Sequence, residues 1–173
     1  MTPQSGLIVE IPEVEPLVGP FRLELDQNAQ LGVPAHVTVL YPFVPPAGID
    51  DATLDRLRLV FAAIPGFGFV LDHIDWFGEQ VLWVGPADDR PFRALTRVAM
   101  AAFPDYLPYG GAFADPIPHL TVGEGGAPAV MRDAESSIRP GLPVRGTASS
   151  VSLLVQDETG HWSRRERFPL APA

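Results

Sequence analysis

A pattern that occurs twice limits the possible folds of this chain more than any other part of it. It appears first as Ala35-His36-Val37-Thr38-Val39-Leu40-Tyr41 and again as Pro118-His119-Leu120-Thr121-Val122. Both copies read His-apolar-Thr-apolar. Along a strand, successive side chains point to opposite faces, so His36 and Thr38 share one face, and His119 and Thr121 share another. Val37, Val39, Leu120 and Val122 then face a core. Burial of that face holds the register, since a slip of one residue would turn each imidazole inward. Each strand therefore aims one imidazole and one hydroxyl to the same side, and two such strands are expected to serve a single site.

The chain has 173 residues, enough to bury a sizeable core. Its 46% hydrophobic and 19% charged residues fit a folded protein, and 20 prolines with 16 glycines make it rich in loops. There is no cysteine, which excludes disulfides, thiolate nucleophiles and cysteine metal sites. No run approaches a membrane span, and the first residues lack the pattern of a signal peptide. A cytoplasmic protein without a membrane partner is the expectation. The formal charge is −9, all 12 basic residues are arginines, and none lies within ten positions of His36 or His119. Affinity for nucleic acid comes largely from cations set against phosphates, so extensive nucleic-acid binding is not expected. A small phosphorylated ligand in a local pocket fits the charge.

Gly6 to Ile11 reads as a strand rich in β-branched residues. In Pro12 to Gln27 the apolar residues Leu17, Val18, Phe21 and Leu25 keep helical spacing, but Pro16 and Pro20 predict a helix that starts late or kinks. Asp50 or Asp51 can cap a helix to about Ile64, with Leu54, Leu57, Phe61 and Ile64 as its apolar stripe. Strands are expected over Phe67–Trp76 and Val81–Val84, and a helix over Pro91–Phe103. A proline- and glycine-rich loop, Pro104 to Pro116, leads to the second motif. A helix over Pro128–Ile138 and strands over Leu142–Val155 and His161–Leu170 complete the chain, with a hairpin turn at Asp157–Gly160.

The two halves repeat one order, strand, helix, His-x-Thr strand, helix, strand. This predicts an α+β fold in a single bilobal domain over residues 1–173. Its lobes, about 6–78 and 80–170 with room for exchanged strands, would be related by a pseudo-twofold axis. Each would carry an antiparallel sheet with helices packed outside, and the motif strands would meet in a central cleft. A monomer is the default.

Two histidines facing one cleft suit acid–base catalysis, because an imidazole titrates near neutrality and can be either partner. One takes a proton from an attacking water or hydroxyl while the other gives one to the leaving oxygen. The hydroxyls of Thr38 and Thr121 can hold the non-bridging oxygens of a phosphoryl group. No metal or cofactor is called for. Histidine zinc sites generally have a third histidine, a carboxylate or cysteines, and none is spaced to help here.

The paired His-x-Thr motifs, on strands of duplicated α+β lobes, resemble those of the 2H phosphoesterase superfamily. The near-terminal GLIVEI strand and the C-terminal pair of strands are similar to its 2′-5′ RNA ligase-like (2′,3′-cyclic phosphodiesterase) branch. The resemblance implies a cleft lined by His36, Thr38, His119 and Thr121. It also implies an enzyme that hydrolyses 2′,3′-cyclic phosphates to 2′-phosphates, with reversible 2′-5′ ligation of RNA in some members. It leaves open which histidine is acid and which is base. The absence of nearby basic residues favours a mononucleotide, a short RNA end or another small cyclic phosphate, and a non-catalytic module binding a small cyclic or terminal phosphate is the alternative.

Tyr41, Tyr109 and Phe113 are candidates for stacking a base, since aromatic faces accept any nucleobase. His73 reads as a partly exposed strand residue with a third catalytic role as its alternative, and His161 as surface. Trp76-Phe77 reads as core, Gly123-Glu124-Gly125-Gly126 as a loop with a backbone phosphate cradle as its alternative, and Arg164, Arg165 and Arg167 as a solvated strand edge.

Overall fold

A computed structural model describes residues 2–173. Eight strands form two four-stranded antiparallel sheets. The first contains β1 (Ser5–Glu10), β2 (His36–Leu40), β7 (Ser150–Gln156) and β8 (Trp162–Pro169) in the order β2-β1-β7-β8. The second contains β3 (Phe67–Phe77), β4 (Val81–Pro86), β5 (Leu120–Glu124) and β6 (Val144–Ala148) in the order β5-β4-β3-β6. β3 thus belongs to the second sheet although it falls in the first half of the sequence, and the C-terminal β7–β8 hairpin completes the first. The two orders correspond strand for strand, with a motif strand at one edge of each sheet. β2 and β5 contact one another where the sheets meet.

Five helices cover the sheets: α1 (Glu15–Leu25), α2 (Gln27–Gln30), α3 (Asp51–Ala62), α4 (Arg90–Ala102) and α5 (Pro128–Ile138). The expected late start of the first helix is a 3-10 turn at Pro12–Val14 that leads directly into α1. Pro16 sits in the first turn, where its missing N–H has no partner to lose, and Pro20 lies on the exposed side, where water can take the freed carbonyl. Asp50 caps α3 by accepting from the Thr53 N–H at 2.8 Å.

The helices cross between the lobes. α1, which links β1 to β2 in the first sheet, packs against β5 of the second, whereas α4, which links β4 to β5, packs against β2 of the first. Each sends a side chain to the other sheet's motif strand. Arg22 Nε donates to the Thr121 carbonyl at 3.1 Å, and Thr96 Oγ1 donates to the Val39 carbonyl at 2.9 Å. One contiguous apolar core runs through both lobes, from Leu7, Val37 and Leu57 to Leu82, Leu120 and Met131.

Candidate functional site

Val37, Val39, Leu120 and Val122 are all buried, so their neighbours His36, Thr38 and Thr121 are turned to the opposite face. His119 stands one residue before β5 rather than inside it, in the same half-buried setting as His36. In both motif strands the pairing register breaks just after the threonine. Ile8 pairs with Thr38 but Leu7 with Leu40, and Trp83 pairs with Thr121 but Leu82 with Gly123. Val39 and Val122 are thereby bulged. Strict alternation would place Tyr41 with the core valines and Glu124 with Leu120 and Val122. The bulges turn both to the cleft instead.

A cavity of about 640 Å³ lies between the lobes and is lined by His36, Thr38, His119 and Thr121 together with Tyr41, Tyr109 and Phe113. The fold thus brings all seven candidate residues to one space. The sequence pattern did not point to Phe77, Trp162, Asp26, Asp115 or Glu124, which also line it. Phe77, read as core, stands edge-on to the His119 ring at 4.8 Å and stacks on Trp83. Trp162 meets Tyr41 edge-on at 6.2 Å. Phe77 pairs with Val81 across the sheet and so shares the cleft face, which the β3 pattern alone does not reveal.

The two imidazoles are held alike. His36 Nδ1 lies 2.7 Å from the Pro34 carbonyl, and His119 Nδ1 lies 2.7 Å from the Ile117 carbonyl, in each case two residues upstream. A carbonyl can only accept, so each Nδ1 carries the proton and each Nε2 is the nitrogen left for chemistry. Burial pushes His36 down to about 4, with the Arg22 guanidinium and His119 adding to the fall and Asp26 opposing it. His119 is also lowered by burial, with its Ile117 hydrogen bond and the Glu124 carboxylate acting the other way.

No arginine borders the cavity, as the spacing along the chain suggested, but Arg22 is close behind it. Arg22 and Asp26 are 2% and 3% exposed and pair at 2.8 Å. Arg22 Nη2 also donates to the Val33 carbonyl at 3.2 Å, and Glu15 accepts the Ala35 N–H at 2.6 Å, so this cluster anchors the entry to β2 as well as Thr121. A signal was present in the sequence. Arg22 falls four residues after Val18 and three before Leu25, a position that helical periodicity assigns to the core.

The remaining candidates lie elsewhere. His73 pairs with Asp72 at 2.6 Å and borders a separate hollow beside Trp83 and Asp88, outside the cleft. Gly123 and Glu124 belong to β5 rather than to a loop. A Cβ at Gly123 would sit 2.6 Å from Leu25 and 2.9 Å from Met131, so that glycine serves close helix–strand packing, not a phosphate cradle. Arg164 and Arg167 pair with Glu10, and Arg165 donates to the carbonyls of Pro46 and Ile49. Among the described residues no group of three or more His, Cys, Asp or Glu could hold a metal ion, and no helix is long and apolar enough to cross a membrane.

The model of the 2′-5′ RNA ligase superfamily matches residues 11–160. Among solved structures, E. coli LigT complexed with 3′-AMP superposes with a TM-score of 0.62 at 18% identity, covering 97% of this chain and 98% of that one. TT0787 of Thermus thermophilus gives 0.62 at 16% identity, covering 98% of each. E. coli LigT complexed with NADP+ gives 0.55 at 18%, covering 97% and 98%. At these identities the likeness is one of fold. No curated protein sequence matches.

Proposed function

The chain belongs to the 2′-5′ RNA ligase superfamily, and on that premise we propose that it is a phosphoesterase hydrolysing a 2′,3′-cyclic phosphate to a 2′-phosphate, with His36 and His119 as its acid–base pair. The observation that carries this reading is the matched tethering of the two rings. Each donates Nδ1–H to a carbonyl two residues upstream and keeps Nε2 for the cleft, beside a threonine hydroxyl on the same face. That arrangement supports proton transfer in both directions. One neutral Nε2 takes a proton from water as its oxygen forms a bond to phosphorus. The bond from phosphorus to the ribose 3′ oxygen breaks, and the other imidazole, protonated, supplies the proton to that oxygen. Thr38 and Thr121 donate to the non-bridging oxygens, whose charge must be held while the bonds exchange.

A cavity of about 640 Å³ suits a nucleotide or a short RNA end. LigT has been solved with 3′-AMP, which is in keeping with a small phosphorylated substrate here. Formation of a 2′-5′ linkage would use the same two proton transfers with a ribose 5′-hydroxyl in place of water, and its reversal would run them backwards. The test is incubation with 2′,3′-cyclic mononucleotides in the presence of a chelator. Turnover to the 2′-phosphate that falls by about 10²-fold or more in both His36→Ala and His119→Ala is the expected result. Binding of cyclic phosphates without turnover would overturn the enzyme reading in favour of a binding module.

A further inference from the structure

Tyr109 is the one non-glycine residue with a positive φ among those described. It opens a run of three left-handed residues, with φ of 52° at Tyr109, 63° at Gly110 and 80° at Gly111. A side chain with a Cβ resists this conformation, and glycine does not. Glycine occupies two of the three positions, so the third retains its bulky side chain against the preference of its own backbone. Such an outlier beside a candidate site points to a use for the side chain.

The location fits a use at the phosphate. The Tyr109 N–H donates to the carbonyl of Tyr41, at the end of the first motif strand, which ties the loop to β2. The ring is half-buried, lines the cleft and meets Phe113 edge-on at 5.7 Å. The ring shares the cavity with Thr38, and burial raises its phenol above the ordinary tyrosine range, with the Thr38 hydroxyl acting in the opposite sense. Thr38 is one of the two hydroxyls assigned above to the phosphoryl oxygens.

Resting on that assignment, we propose that Tyr109 is a phosphate-contacting residue whose hydroxyl joins Thr38 on the transferred phosphoryl group, and that its left-handed backbone serves to present it there. This replaces base stacking as its role. A stacking residue would use the face of the ring, which phenylalanine supplies equally.

Tyr109→Phe separates the two roles. Loss of the hydroxyl is expected to lower kcat/KM for 2′,3′-cyclic AMP on the order of 10²-fold. Binding of inorganic phosphate should weaken in the same variant while binding of adenosine stays unchanged. Wild-type values for both turnover and phosphate binding in Tyr109→Phe would overturn the proposal, as would weakened adenosine binding with phosphate binding intact. The binding arm does not depend on turnover. A protein that hydrolyses no cyclic phosphate but loses phosphate affinity in Tyr109→Phe would refute the enzyme reading and leave this one standing. The backbone part is read by comparing Tyr109→Gly with Tyr109→Ala. At a left-handed position the glycine variant should melt higher, by about 2–4 °C. An alanine variant equal or more stable would refute the strained presentation.

Discussion

Arg22, 2% exposed on α1, donates through Nε to the backbone carbonyl of Thr121, 99 positions away, at 3.1 Å. The same guanidinium binds Asp26 and the Val33 carbonyl, so one buried cation braces the strand of the second motif and the approach to the first. α4 makes the converse link through Thr96 to Val39. The two edge strands of the His-x-Thr motifs are therefore each held by a helix from the opposite lobe's connection.

Arg22→Ala is expected to lower the unfolding free energy by about 3–5 kcal/mol, because it strands the Asp26 carboxylate without its partner in a buried site. Urea denaturation measures this. Replacing both members, as Arg22→Met with Asp26→Leu, should recover most of the loss, since an apolar pair of similar volume carries no desolvation penalty. A double variant as unstable as Arg22→Ala would show that the contacts to Val33 and Thr121, rather than the orphaned charge, dominate.

The activity should be greatest on the acid side of neutrality. His36 is lowered to about 4, and His119 is also lowered from its ordinary 6.5. One imidazole must be neutral and the other charged, so kcat/KM should follow a bell with both limbs below pH 6.5, whichever ring is the acid. A pH profile of kcat/KM on a cyclic mononucleotide checks it. A plateau from about pH 5 to 9 would rule out the two-histidine mechanism.

Stability carries the same signature. The folded protein holds His36 neutral, whereas in the unfolded chain it titrates near 6.5. Above pH 6.5 both states are neutral there and the residue adds no pH dependence. As pH falls from 6.5 towards 4 the unfolded chain takes up a proton that the folded one refuses, and stability is lost. The loss amounts to about 2–4 kcal/mol by pH 4. Unfolding midpoints measured across that window should drop in the wild type and drop less in His36→Gln.

The charge of the cleft should select its substrate. Asp26, Asp115 and Glu124 line it and no arginine does. Asp26 pairs with Arg22 and Asp115 with Arg93. Glu124 has no salt-bridge partner among the described residues and is near enough to His119 to act on its titration. A cyclic mononucleotide should therefore be preferred to an RNA oligonucleotide ending in the same cyclic phosphate, more so at low salt. Glu124→Arg should narrow the gap in kcat/KM between them. An oligonucleotide used as well as the mononucleotide by the wild type would contradict this.

Much of the molecule is legible along the chain because it rests on local rules. The duplicated His-x-Thr pattern, the buried Val37, Val39, Leu120 and Val122, the Asp50 cap and the helix at Pro128–Ile138 all follow from periodicity and backbone chemistry. The start of α1 was readable only in outline, since the tolerance of Pro20 depends on which side of the helix meets water.

Which residue types could do chemistry, and which side of each motif strand they occupy, follows from the chain alone, because alternation on a pleated strand is a property of the backbone. What stands beside them was settled by tertiary contacts. The bulges at Val39 and Val122 turn Tyr41 and Glu124 into the cleft, and a bulge arises from pairing with a neighbouring strand. Phe77 and Trp162 join the site because sheets built from distant segments share a face. Arg22 reaches both motifs because α1 crosses to the other lobe. Each of these depends on contacts between residues far apart in sequence, which no local pattern encodes.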